Sequence, residues 1–236
     1  RSDDQLVPGQ LGSHRRAAGG QQDVARAVAA AAAVRRRHVD RVGVEQPPMP
    51  LQTPPGRPGS DRPLRVGFIS RLFKNHTIGR LMQGYVAELA RPQFEVTVIS
   101  RGHYNDEIAQ FLRRKAERSV EIPEHVTEAA RIVADLGLDV LYYADVGMDP
   151  LVTSLAYWRL APVQCVTWGH PVTTASRTID YFISSDLIEP TGAEAEYTER
   201  LVRMSRLPSY YFRPALTGPR KSRAEFGLRD DEHIYL

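Results

Sequence analysis

Cysteine is nearly absent from this chain of 236 residues; Cys165 is the only one. No internal disulfide can form and no multi-cysteine metal site can be built. A lone thiol suits a reducing compartment, so a cytoplasmic location is expected. No apolar run approaches the roughly 20 residues needed to cross a bilayer, and no membrane partner is expected. Aromatics are absent from the first part of the chain: all 7 Phe, 2 Trp and 10 Tyr lie at or beyond Phe68. A leader without them buries little and cannot offset the entropy of ordering.

Basic excess is equally uneven. Residues 1–62 carry ten Arg against six Asp or Glu, leaving the remainder at −1 within a total of +3. The folded part therefore has no net basic footprint, which argues against nucleic acid as a partner. Several motifs are missing as well. No GxGxxG and no phosphate-cradling P-loop appears, so neither a dinucleotide nor an NTPase fingerprint is present. No GxSxG elbow is found, and no His/Asp/Glu cluster has metal-ligand spacing. No metal or cofactor is expected.

Three segments are expected. Residues 1–62 read as a disordered or partly helical leader: Gln21 to Val39 is rich in Ala and Arg without an apolar stripe. Gln46 to Pro63 then holds seven of the 17 prolines, as in an extended linker. Residues 63–214 read as an α/β lobe and residues 215–236 as a connector opening a further unit. An Arg at the start and a strand-like end give the expectation of a fragment.

From Leu64 the pattern turns α/β. Strands are predicted at Leu64–Ser70, Phe94–Ser100, Val120–Pro123, Val140–Ala144, Val163–Trp168, Ile179–Ser184 and Leu201–Met204. Helices are predicted at His76–Ala90, Asp106–Glu117, His125–Leu136 and near Asp149–Arg159. This alternation implies βαβ units and a mostly parallel, Rossmann-like sheet.

Open α/β sheets bind ligands beyond the carboxyl ends of their strands, which directs attention to three strand exits. The first, Arg71 to Thr77, ends at a helix N-terminus whose free amides attract anions. His76 there could serve as a general base or polar clamp, or be an ordinary solvated histidine. The second is Trp168-Gly169-His170-Pro171-Val172-Thr173-Thr174. Gly169 permits close approach of a ligand, Pro171 fixes the turn, and Thr173 and Thr174 offer hydroxyls. An ordinary strand exit has similar residues. At the third, Asp145 could bind a sugar or a loop amide, although a turn-forming Asp is the simpler account. Cys165 reads as a small core residue.

The segment VGFIS-x5-HTIGRLMQGYVAEL, together with RLAPVQ…WGHPVTT…IDYFISSD from Leu160 to Asp186, resembles the bacterial O-linked N-acetylglucosamine transferases of the SPINDLY-like type. The resemblance runs from about Leu64 to Leu236. It implies the N-terminal lobe of a two-lobed, inverting, metal-independent GT-B glycosyltransferase, with tetratricopeptide repeats often preceding it. The implied donor is UDP-N-acetylglucosamine and the implied acceptor a Ser or Thr hydroxyl of a protein or peptide.

His76 matches the family histidine at the cleft, as base or substrate contact. Gly169 and Pro171 match the family's Gly-Tyr-Pro-Gly-Thr segment near the donor sugar, with His170 in place of its tyrosine and Val172 in place of its second glycine. Those departures bear on the sugar, leaving UDP-glucose or GDP-fucose as alternatives. In the family the lysine and other groups that hold the diphosphate lie in a C-terminal lobe, expected in cis beyond this chain, so this fragment alone is expected to be inactive. A non-catalytic α/β sugar- or protein-binding module is the alternative from another class.

Overall fold

Burial on both faces explains why the central strands of this chain are largely apolar, since parallel sheets are covered by helices on each side. A computed structural model of the protein describes residues 62–89, 91–213 and 218–234. The leader reading lies outside the described residues apart from Arg62, as does the strand reading of Tyr235 and Leu236.

In chain order the elements are β1 (Leu64–Ser70), α1 (Thr77–Leu81), α2 (Gln83–Glu88), β2 (Phe94–Arg101), α3 (Glu107–Lys115) and β3 (Arg118–Ile122). They continue with α4 (Val126–Asp135), β4 (Val140–Tyr143), α5 (Pro150–Leu155), β5 (Val163–Thr167), β6 (Tyr181–Ser185) and β7 (Arg200–Met204). The seven strands form one sheet in the order β3-β2-β1-β4-β5-β6-β7, every neighbouring pair parallel. The chain builds outward from β1 to β3, then returns to the other side of β1 and builds outward to β7. This reversal places the topological switch point between β1 and β4, where the crevice of an open α/β sheet forms.

Alternation along β1 divides the core. Val66 and Phe68 join one cluster with Met82, Tyr85 and Val86 of the α1–α2 region and with Ile108 and Leu112 of α3. Ile69 faces the opposite cluster, with Val133 of α4 and Leu155 of α5. Phe68 is fully buried, and truncation of such a ring to Ala typically costs about 3–5 kcal/mol. Cys165 is also buried, in the cluster shared with Phe68, and burial raises its thiol pKa far above the ordinary range.

One predicted helix is broken. His76–Ala90 has helical spacing throughout, yet α1 ends at Leu81 and α2 begins at Gln83. The cause is tertiary. Tyr210 donates its N–H to Leu81 O at 2.8 Å and accepts from Gly84 N at 2.7 Å, so backbone from beyond β7 takes bonds that a continuous helix would make internally. The helix predicted near Asp149–Arg159 is shorter, spanning only α5, and Trp158 and Arg159 lie beyond it. Among the described residues no helix is long and apolar enough to cross a membrane.

Candidate active site

Three strand exits converge on the switch point. After β1, His76 is the N-cap of α1, and its Nδ1 accepts from Ile78 N at 3.2 Å. A ring nitrogen that accepts a backbone N–H cannot carry the proton, so the neutral ring in this arrangement is protonated on Nε2. Nε2 is then a hydrogen-bond donor, while Nδ1 is occupied. In this arrangement the ring can offer an N–H to a neighbouring oxygen, as a polar clamp or an ordinary solvated histidine would.

After β4, Asp145 is fully buried, and among the described residues neither carboxylate oxygen has a well-formed hydrogen bond to a loop amide or any other group. Burial pushes its carboxyl up to about 7; the Ser70 hydroxyl beside it opposes the rise and the charge of Asp149 adds to it. Ser70 Oγ is itself engaged, accepting from Leu72 N at 2.8 Å. A buried polar group so poorly satisfied is costly, and one just past the end of a sheet strand is a candidate functional group.

Asp149, four residues on, is equally buried but fully used. It caps α5 by accepting from Val152 N at 3.0 Å, with Pro150 in the first turn of the helix. Its other oxygen accepts from Arg101 at 2.6 Å and from Arg71 at 3.4 Å. One carboxylate thus ties the exits of β1 and β2 to the start of α5. Arg101 also pairs with Glu124. A cavity of about 480 Å³ opens beside them, lined in part by Arg71, Arg101, Glu124, His125 and Leu151. The Asp-Pro pair was a readable cap signal; the two arginines gave none, because they meet Asp149 only through the sheet.

After β5 the Trp168–Thr174 loop is held at both ends. Trp168 donates its indole N–H to Pro208 O at 3.0 Å. Gly169 lies so close to the β4 exit that a Cβ there would stand 2.0 Å from Ala144 O, so only glycine fits. The ring of His170 packs against Gly147, where φ is +101°. His170, Pro171 and Val172 are exposed. Thr173 and Thr174 are half-buried, and their hydroxyls are taken in this structure: both donate to Glu199, the first at 2.6 Å. Glu199, immediately before β7, was not anticipated from sequence.

The structure therefore brings Gly169 and His170 against the β4 exit, with Ile78 of α1 beside Gly169. It turns Thr173 and Thr174 toward Glu199. No group of His, Cys, Asp and Glu that could hold a metal ion is found among the described residues.

This geometry can be set beside known proteins. The Arabidopsis thaliana protein named "Probable UDP-N-acetylglucosamine--peptide N-acetylglucosaminyltransferase SEC" is 25% identical over 197 residues, covering 79% of this chain and 20% of that protein. A UDP-glucose:protein N-beta-glucosyltransferase of Actinobacillus pleuropneumoniae is 33% identical over 98 residues, covering 42% of this chain and 15% of that protein. Among solved structures, a mutant of the O-GlcNAc transferase of Thermobaculum terrenum matches with a TM-score of 0.57 and 26% identity, over 85% of this chain and 39% of that one. The chain thus spans a fifth or less of the length of these two curated relatives. The profile described as Glycosyl transferase family 41 matches residues 21–212, a span that includes the proline-rich segment as well as the whole sheet. With that profile covering most of its length, and with a Rossmann-like sheet similar to the O-GlcNAc transferase, the chain belongs to glycosyl transferase family 41.

Proposed function

We propose that this chain forms the lobe of a protein glycosyltransferase that bears His76, and that the whole enzyme transfers N-acetylglucosamine from UDP-N-acetylglucosamine to Ser or Thr hydroxyls with inversion and without a metal. The observation that carries this reading is the placement at the carboxyl edge of the sheet around the switch point: His76 follows β1, Asp145 follows β4 and the Gly169–His170 turn follows β5, with Gly169 packed against Ala144 O and Ile78.

The reaction forms a bond from the acceptor oxygen to the anomeric carbon and breaks the bond from that carbon to the diphosphate. The hydroxyl loses a proton, and the diphosphate gains charge that positioned donors must stabilise. On this side of the cleft, His76 Nε2–H supplies a hydrogen bond to an oxygen of substrate. Asp145, buried at the β4 exit with a proton affinity near neutrality, is the group on this side suited to take up the proton that the hydroxyl loses. The exposed His170-Pro171-Val172 tip lies against the sugar. The diphosphate clamp is assigned to a second lobe, as the resemblance implies.

A second reading, glucose transfer from UDP-glucose, is supported by the 33% identity to the N-beta-glucosyltransferase. The test presents the full-length protein with UDP-N-acetylglucosamine, UDP-glucose and GDP-fucose, using Ser/Thr and Asn peptide acceptors, with mass spectrometry as readout. N-acetylglucosamine on Ser or Thr, undiminished by EDTA, is expected; hexose on Asn would replace the first reading with the second. His76→Gln places an amide N–H donor close to the position of Nε2 but cannot take up a proton. Its activity should fall far less than that of His76→Ala; equal loss in both would overturn the donor role given to the histidine.

A further inference from the structure

Glu199 carries more hydrogen bonds than any capping or surface role requires. It is 4% exposed, and its carboxylate accepts from Thr173 Oγ at 2.6 Å, Thr174 N at 2.7 Å, Thr174 Oγ, and Thr198 Oγ at 3.1 Å. Thr173 Oγ in turn accepts from Thr198 N at 3.2 Å and Ala175 N at 3.3 Å. These bonds hold the carboxyl below its ordinary value against the opposing effect of its burial. A second anchor lies just beyond, where Ser176 Oγ donates to Ala156 O at 2.9 Å and Thr178 Oγ reaches the same carbonyl.

Between these anchors Ala175 has φ of 52°, a left-handed conformation that costs a residue with a Cβ roughly 1–2 kcal/mol. Loop residues keep such a conformation only when their surroundings over-determine it. On the other side, the tip begins at Gly169, wedged against Ala144 O. The tip His170–Val172 is therefore exposed and yet fixed at both ends.

We infer that Glu199 is a positioning residue that latches the β5-exit loop, so that its His170–Val172 tip meets the glycosyl group of a nucleotide sugar in a preset shape. This rests on the donor-binding reading given above. The latch does not touch substrate; it removes the conformational freedom that the loop would otherwise lose on binding. Its effect should fall on recognition of the sugar and spare the nucleotide.

The test measures affinity of the full-length protein for UDP-N-acetylglucosamine, UDP-glucose and UDP alone by calorimetry, alongside thermal unfolding. In Glu199→Ala, affinity for the preferred UDP-sugar should drop about tenfold to a hundredfold while affinity for UDP stays within twofold (roughly, by the same argument). Glu199→Gln keeps one acceptor oxygen for Thr174 N and should recover part of the loss. Thr173→Val removes a hydroxyl from the loop side, and should lower sugar affinity in the same direction should the Ala variant fail to fold. A lowered unfolding temperature with the UDP-sugar to UDP preference intact in all three variants would reduce Glu199 to a fold-stabilising residue and overturn the latch. A wild-type protein that binds no nucleotide sugar would instead overturn the donor reading and the latch with it.

Discussion

At the scale of single residues, Asp145 is where the fold and the site conflict. Unfolded, an Asp titrates near 3.9; in the folded chain burial moves it to about 7. Between those values the folded state holds a proton that the unfolded state has released, so this residue makes stability fall as pH rises from about 4 through 7. A shift of that size corresponds to roughly 4 kcal/mol. Asp145→Asn places a neutral isostere in the same position. Relative to the parent it should be indifferent near pH 4, and more stable above pH 7 by an amount of that order, while the full-length enzyme loses turnover. Urea unfolding of parent and variant across this range checks it; a constant difference between the two curves would mean that Asp145 is solvated and ionised throughout. The sequence marked Asp145 as a strand-end polar residue, but its burial depends on the turn to Asp149 and on Ser70 of another strand, which no local pattern records.

At the scale of elements, the central strands were legible because a parallel sheet buried on both faces leaves apolar runs, as in β4, whose four residues are all buried. Helix starts were nearly as clear, since Asp106 and Asp149 both accept from amides of the helices they precede. What escaped were bonds between connections distant in sequence: Glu199 to Thr173 and Thr174, and Arg101 to Asp149. The Asp149 cap allows its two functions to be separated. Asp149→Asn retains a good cap but gives up the ion pairs to Arg101 and Arg71. Arg101 keeps Glu124 and Arg71 is substantially exposed, so what is lost is the charge-assisted part of these bonds, about 1.5–3 kcal/mol. Asp149→Ala should cost about 1 kcal/mol more, the usual value of an N-cap. Guanidinium unfolding midpoints measure both variants, and equal midpoints would show that the cap contributes nothing beyond the charge.

At the scale of the whole molecule, the segment after β7 runs back over the lobe it has just completed. Trp168 holds Pro208 O, Tyr210 exchanges backbone bonds with Leu81 and Gly84, and Phe212 meets Tyr210 and Phe111. This strap joins the β5 exit to the helix that His76 caps, so the two motifs read separately from sequence are mechanically connected. Gly84 tests the connection because two rules predict opposite signs there. Helix propensity alone makes Gly84→Ala stabilising by about 1 kcal/mol. However, a Cβ at Gly84 would lie 2.1 Å from the Tyr210 ring, closer than atoms can approach, so the ring must move and draw its backbone off Leu81 O and Gly84 N. Expulsion of a half-buried aromatic ring with loss of two backbone bonds outweighs the propensity gain. The variant should be less stable than the parent, and amide exchange at Tyr210 and position 84 should quicken while the β1 amides stay protected. A stabilised variant with Tyr210 still protected would mean that the strap is held without this contact, and that the α1–α2 break belongs to the helices themselves.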